Sequence, residues 1–379
     1  MQQRVRVVST RGGRNSLSLA HTFESEDVIV QLEGTELLCP PMFERGARVR
    51  LGHIADGVWK RLRPTPAGRS MFPPVRMTLV NVQDLPGLWN IRELDAYLQG
   101  SEISVCFVEE VFAEGLEHRR GELEALSRFD VVFCACQGAC EPIQRLTGRP
   151  THYLPPGIDT VRWAPRTVTN DRPIDVYYLG RRLPARHEAL KALCRERDWF
   201  YLFDTVAPRG FMNHAEHRDA LSGFVQRTRF FVVDAAKIDQ PLVGARQQEV
   251  GYRFFEGAAA GAVLVGRRPL GQASRNLFPS EEAVLELPDA PEGIAEVLDA
   301  LHDSGERCLR IRARNVSLCL RRHDTAYRYA RILDEVGMPY PAALDDRLAE
   351  LGARAQRLDA LVGDGGASRE EREPQELSA

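Results

Sequence analysis

The sequence predicts an α/β protein of two domains, each a parallel sheet between helices, followed by C-terminal helices. Three observations predict it. Short β-branched or apolar runs alternate with helix-like stretches over most of the chain, the sign of parallel strand-helix-strand units. The alternation breaks at Leu154-Pro155-Pro156-Gly157-Ile158-Asp159, where prolines and a glycine stop any regular element, and then restarts. A length of 379 residues also exceeds what one hydrophobic core ordinarily serves.

In the first half, strands are expected at 4–9, 27–32, 75–84, 103–109, 130–136 and 151–154, with helices within 90–100, 118–127 and 138–148. The stretch from Pro40 to Pro74 is rich in proline and glycine and reads as irregular structure around a strand, a candidate substrate-facing excursion. After the break, Asp175-Val176-Tyr177-Tyr178-Leu179-Gly180 is a strand ending in glycine, followed by a helix from Pro184. Further strands are expected at 199–204, 229–234, 263–265 and 284–287. From Pro291 the chain reads as helical, through 292–302, 306–320, 325–336 and 342–361. Leu344, Leu348, Leu351, Ala355, Leu358 and Leu361 form an apolar stripe on the last of these helices, suited to packing within the chain or against a second copy. The division expected is a first domain over 1–165, a second over 166–336, a C-terminal helix within 337–362 and a disordered acidic tail over 363–379. Homo-oligomerisation is left open.

Composition narrows the function classes. Apolar residues at 44% and charged residues at 27% are those of a soluble globular chain, and no apolar run approaches the roughly 20 residues that span a bilayer. A net charge of -3 arises from near-balance, so nucleic acid is not an expected partner. The basic residues are almost all arginine, with lysine only at Lys60, Lys191 and Lys237, so an individual arginine must be argued from its place in a motif. The first residues run straight into a strand without the apolar core of a secretory signal. Eight scattered cysteines do not make a disulfide framework, and a reducing cytoplasm is the expected location. Cys134-Ala135-Cys136-Gln137-Gly138-Ala139-Cys140 lacks a second ligand pair, so no metal site is expected there.

Loops at the carboxyl ends of parallel strands are where ligands sit. After the first strand comes Thr10-Arg11-Gly12-Gly13-Arg14-Asn15-Ser16, where Gly12 and Gly13 either let backbone approach a ligand closely or make an ordinary tight turn. The G-x-G-x-x-G fingerprint is absent, which counts against a dinucleotide dehydrogenase. After the first strand of the second domain come Gly180, Arg181 and Arg186, two guanidinium forks spaced to reach one diphosphate. The plainer reading of such a pair is solvated surface charge.

The richest stretch runs from Gln247 to Gly266. Gln248, Glu249, Arg253 and Glu256 are followed by Gly257-Ala258-Ala259-Ala260-Gly261-Ala262 and a short apolar strand. A carboxylate at 256 suits the vicinal hydroxyls of a ribose, and the small residues allow close helix-to-sheet packing. On periodicity alone the segment is an amphipathic core helix with Tyr252, Phe255 and Ala259 inward. In the first domain, Asp84, Glu109 and Glu110 fall at strand ends, where capping or solvation is the plainer reading beside a base or acceptor contact. His21, His118 and His152 are candidates by location, and His214 and His217 read as capping or solvated residues of a helix start.

Glu256-Gly257-Ala258-Ala259-Ala260-Gly261-Ala262-Val263-Leu264-Val265 resembles the donor-binding signature of GT-B glycosyltransferases of the group 1 type, in the branch with the spore-maturation-like enzymes. In that signature a glutamate, seven residues and a second glutamate precede the small-residue run. Here the first position holds Gln248, with Glu249 one place late. Pro155-Pro156-Gly157-Ile158-Asp159 is similar to the interdomain passage of these enzymes, Gly180-Arg181 with Arg186 to their diphosphate-binding residues, and Arg322-His323-Asp324-Thr325 to their late helix. The likeness covers roughly residues 129–336.

The resemblance implies a GT-B fold of two Rossmann-like α/β/α domains facing across a cleft, and transfer of a sugar from a nucleoside-diphosphate donor to an acceptor, with retention and without a bound metal or other cofactor. It places Arg181, Arg186 and Glu249 in catalysis. Gly12, Gly13, Gly180, Gln248, Arg253, Glu256, Gly257 and Ala258 join them in holding the donor. The acceptor, whether natural product, glycan or protein, is not implied. A nucleotide-sugar epimerase and a catalytically degenerate donor-binding protein are the alternatives. Turnover of a donor without acceptor would mark the first, and absence of any turnover the second.

Overall fold

The computed structural model describes residues 4–13, 16–43, 72–203, 211–238 and 247–362. The expected tail over 363–379 and most of the Pro40–Pro74 stretch lie outside the described residues.

Six strands, β1 (Val5–Ser9), β2 (Leu37–Leu38), β3 (Val75–Val82), β4 (Ser101–Val108), β5 (Val131–Cys134) and β6 (Thr151–Tyr153), form one sheet in the order β2-β1-β3-β4-β5-β6. Five more, β7 (Ile174–Tyr178), β8 (Tyr201–Phe203), β9 (Thr228–Val233), β10 (Val263–Gly266) and β11 (Val284–Glu286), form a second in the order β11-β10-β9-β7-β8. Every pairing within both sheets is parallel. The strands read as near-continuous apolar runs because helices cover both faces. On one face of the first sheet Val80, Cys106 and Val132 meet Leu88, Leu126 and Ile143, and on the other Val7, Leu79 and Phe107 meet Ile29, Tyr329 and Leu333. Each such fully buried Val, Leu or Phe stabilises by roughly 1.5–3 kcal/mol.

The run Asp27–Leu32, expected as a strand, is the second half of the helix Ala20–Glu33. This helix is squeezed between the first sheet, the helix Thr325–Glu335 and the second lobe, and buries residues on nearly every face, so it shows no amphipathic period. Its stop is chemical: Gly34 at φ 60° takes the left-handed position that an L side chain resists. The strand that pairs outside β1 is instead the short Leu37–Leu38.

Two crossings join the lobes, and they are zipped together. Ile158 N donates to His323 O and Thr325 N to Ile158 O, while Thr160 donates to Asp324 Oδ2 through both N and Oγ1, at 2.9 and 2.6 Å. Arg328 caps the proline carbonyls of Pro155 and Pro156. The two motifs noted at 155–159 and 322–325 are thus one junction. Beyond it the helix Thr325–Glu335, placed by sequence in the second domain, lies on the first sheet. The C-terminal helix Ala342–Val362 straddles the junction: Leu344 and Leu348 join the first lobe's core, Leu351 and Ala355 pack on Ala164, Val316 and Leu320, and Arg347 pairs with Asp159 and Asp324. Among the described residues no helix is long and apolar enough to cross a membrane.

Candidate active site

The two sheets present their carboxyl ends to one another. From the first lobe come the turn Thr10–Gly12 after β1, residues 109–113 after β4 and the helix Gln137–Thr147 after β5. From the second come Gly180 after β7, Asp234 after β9, residues 247–257, and residues 270–274 after β10. A cavity of about 200 Å³ lies between Gln137 and Gly138 of the first lobe and residues 247–250, Leu270, Gly271, Ala273 and Ser274 of the second.

The helix Tyr252–Ala259 lies directly on the second sheet. A Cβ at Gly257 would come within 2.5 Å of Phe231 Cδ1 and Leu264 Cδ2, and Ala258 is fully buried, so these positions are small because the helix touches the strands. Glu256 is 1% exposed. Its Oε1 accepts from Arg218 Nη1 at 2.5 Å and its Oε2 accepts from Arg253. The other arm of Arg218 donates to Glu24 Oε2 at 2.9 Å, in the first lobe, and its guanidinium lies 4.5 Å over the ring of Trp163. Glu24 also accepts from Trp163 Nε1 and Arg162 Nη1. Burial alone would raise the Glu256 carboxyl, but Arg253 and Arg218 hold it down at about 2. Glu256 is therefore the centre of a buried charge relay across the lobes, with both oxygens taken by arginines.

The expected arginine pair divides. Gly180, at φ 86°, turns the chain out of β7, and Arg181 after it is exposed. Arg186 is 1% exposed and lies below, donating to Asp234 Oδ1 at 2.5 Å and Asp289 Oδ1 at 2.8 Å. Tyr178 Oη donates to Asp234 Oδ2 at 2.6 Å. Burial works against the charge on Arg186, and the two carboxylates more than offset it. Arg186 braces the carboxyl ends of the second sheet, and Arg181 stands at its surface.

Gly12 and Gly13 pack against the chain itself. A Cβ at Gly12 would meet Pro40 O at 2.8 Å, and one at Gly13 would meet Met42 Cβ at 2.5 Å. Of the displaced pair, Gln248 lines the cavity wall with its Oε1 accepting from Leu270 N at 2.8 Å. Glu249 is buried and accepts from the first lobe's Gln137 N and Gly138 N. Burial raises its carboxyl, and the bonds from Gly138, Gln247 and Gln137 pull the other way.

On the acceptor side, Glu109 is buried at the end of β4. Its Oε2 accepts from Thr22 Oγ1 at 2.6 Å and lies 3.2 Å from His21 Nε2, and the His21 ring sits 4.0 Å from that of Tyr252 across the cleft. Glu110 pairs with Lys237 of the second lobe at 2.8 Å, and Asp84 caps the helix Leu85–Trp89. His118 and His152 pair with Glu117 and Glu335 away from this cluster. The helix start at 214 is capped by Asn213, whereas His214 bonds Asp27 of the first lobe at 2.7 Å and burial pushes the His217 imidazole down to about 4. Cys134, Cys136 and Cys140 are unbridged, with their thiols bonded to backbone carbonyls.

Sequence reasoning missed Glu24, Arg218, Asp234, Gln137 and Gly138. Asn213 with Glu216 is a helix-start signal that locates the helix His214–Gln226, but nothing local marks Arg218 as its buried cation.

Two opposed parallel sheets with a polar cavity between their carboxyl ends define the GT-B class of glycosyltransferase fold. Residues 181–334 match the family described as "Glycosyl transferase-like". The match lies largely within the second lobe and marks it as a glycosyl transferase-like domain, the kind a transferase carries. No curated protein shows significant sequence similarity to it. Among solved structures it is similar to an alpha-glucosyltransferase in complex with UDP-glucose and DNA containing an abasic site, at 14% identity and a TM-score of 0.53, over 89% of this chain and 100% of that one. It is likewise similar to a glycosyltransferase from Rickettsia africae ESF-5, at 8% identity and a TM-score of 0.50, over 89% and 98% of the two chains. At these identities the likeness is one of fold.

Proposed function

We propose that the protein transfers a sugar from a nucleoside-diphosphate donor, held mainly by the second lobe, to an acceptor on the first, in the cytoplasm, with retention and without a resident metal or other cofactor. The observation that carries this reading is the cavity between the lobes, walled by Gln137 and Gly138 on one side and by residues 247–250, Leu270, Gly271, Ala273 and Ser274 on the other, with the Gly180–Arg181 turn following a strand of the second sheet. Arg181 stabilises the departing diphosphate by charge-assisted hydrogen bonds. Arg186, Asp234 and Asp289 keep the strand ends under it in place. Gln248 and Glu249 form the wall against the sugar. Glu256 and Arg253 act through the relay with Arg218, and a ribose would compete with Arg253 for the outer carboxylate oxygen. Gly257 and Ala258 seat the helix, and Gly12 and Gly13 shape the first lobe's rim. Retention and the narrower likeness to the spore-maturation branch rest on sequence resemblance alone.

Arg181→Ala is expected to weaken UDP binding about tenfold or more by titration calorimetry, because one charge-assisted bond contributes about 1.5–3 kcal/mol. Unchanged affinity would remove Arg181 from the donor site. Slow hydrolysis of UDP-glucose, the ligand of the similar alpha-glucosyltransferase, is expected to continue in EDTA and to release α-glucose first by proton NMR. A strict divalent-ion requirement would overturn the metal-free reading, and β-glucose as the first product would overturn retention.

A second reading has a specific observation behind it. Gln248 stands at the first carboxylate position, while Glu249 and Glu256 are both engaged by protein groups, as in a protein that binds a donor without turning it over. Binding of a panel of nucleotide sugars with no turnover would favour it. Because that alpha-glucosyltransferase is complexed with DNA, nucleic acid joins natural products, glycans and proteins among the acceptors to be screened.

A further inference from the structure

We propose that Glu249 is a positioning residue that latches the two lobes together by capping a helix of the opposite lobe. The helix Gln137–Thr147 begins without a side-chain cap of its own, since its N-cap residue Cys136 makes no such bond. Its first amides are instead met by Glu249 of the second lobe, Oε2 accepting from Gln137 N at 3.2 Å and Oε1 from Gly138 N at 3.1 Å. A carboxylate is the group best suited to this end of a helix, where unpaired N–H groups and the helix dipole both attract negative charge.

Gln247 makes the same crossing. Its Oε1 accepts from Ala113 N at 2.8 Å, and its Nε2 donates to Val111 O at 3.2 Å and to Glu249 Oε1 at 2.8 Å. The side-chain amide thereby satisfies first-lobe backbone groups and fixes the carboxylate that caps the helix. The fit is close at Gly138, where a Cβ would stand 3.0 Å from both Cγ and Cδ of Gln247 and press on the amide that its three hydrogen bonds hold in place. Three features of distant sequence therefore agree on one contact: an uncapped helix start, a glycine packed closely under the Gln247 side chain, and an adjacent amide and carboxylate from the other lobe.

The contact lies on the cavity wall, so breaking it moves residues 247–250 away from Gln137 and Gly138 and opens the space between them. The displacement of the carboxylate from 248 to 249 has a structural reason in this arrangement. Position 249 reaches the opposite helix, while Gln248 bonds Leu270 of its own lobe.

The test uses the full chain without donor, so it stands or falls apart from glycosyl transfer. Glu249→Ala is expected to increase the radius of gyration in small-angle scattering and to speed amide hydrogen exchange at Gln137 and Gly138 about tenfold, the factor that loss of about 1.4 kcal/mol produces. Gly138→Ala, which keeps the carboxylate, is expected to expand the molecule likewise, and Gln248→Ala to leave the scattering as in the wild type. Faster exchange at Gln137 and Gly138 with unchanged scattering in both Glu249→Ala and Gly138→Ala would show a local cap with no hold on the lobes and would overturn the proposal. If Glu249→Ala fails to fold, Gly138→Ala decides alone by the same two readouts.

Discussion

Arg218→Met is expected to lower the free energy of unfolding by about 3 kcal/mol or more, read from denaturant titration at neutral pH. Removing one member of a buried ion pair typically costs about 3–5 kcal/mol, because the partner is left charged in a medium that solvates it poorly. Here two partners are stranded, Glu24 and Glu256, each with its side chain 1% exposed. Each keeps one arginine nearer the surface, Arg162 and Arg253, at 23% and 37% exposure, which places the effect toward the lower end of the range. Arg253→Ala, by contrast, should cost only about 1 kcal/mol or less, since solvent screens that arm.

The pH dependence gives a second check. Glu256 has its carboxyl lowered from 4.5 to about 2, so the stability owed to its ionised form is fully present above pH 4.5 and is lost as pH falls through 2. The gap between wild type and Arg218→Met should therefore narrow over that window. A variant within 1 kcal/mol of wild type at neutral pH would show that the relay contributes little.

The same relay shows what the sequence could and could not disclose. Glu256 was visible because its signal is local: a carboxylate, tiny residues and an apolar strand in consecutive positions. Its partners Arg218 and Glu24 were invisible, because an arginine within a helix and a glutamate within another look like solvated charge until the lobes are brought together. The strands of the second sheet were legible for the opposite reason, as short apolar runs closed by glycine or by a polar residue. Helix Ala20–Glu33 defeated that logic. Val28-Ile29-Val30 is β-branched and buried on several faces at once, so period and propensity both pointed to a strand, and only Gly34 marked a helix end. The glycine pair at 12–13 was seen, but a sequence cannot tell whether the body pressing on a glycine is a ligand or, as here, the carbonyl of Pro40.

Among the described glycines, Gly266→Ala is expected to be one of the costliest substitutions by a single methyl group. Gly266 closes β10 at φ 150°, a conformation that L side chains rarely adopt, and it pairs with Val233 of β9. A Cβ at this position would stand 1.8 Å from Val233 O and 2.8 Å from Val233 C. Neither atom belongs to a side chain that could swing away, so the two strands must part at their carboxyl ends. That costs several kcal/mol, from overpacking of about 1–3 kcal/mol together with backbone strain of about 1–3 kcal/mol. The loss is not confined to stability. Asp234 follows Val233 directly and anchors Arg186 at 2.5 Å, while Arg267 follows Gly266, donates through its N to Val233 O and pairs with Asp289. Parting the strands pulls these anchors away from the floor beneath Arg181. The variant should unfold at markedly lower denaturant and, in whatever fraction remains folded, bind nucleoside diphosphate more weakly than Arg181→Ala does. Retention of both wild-type stability and wild-type affinity in Gly266→Ala would mean that the strand ends are not braced as the Arg186 network implies, and that Arg181 draws its position from elsewhere.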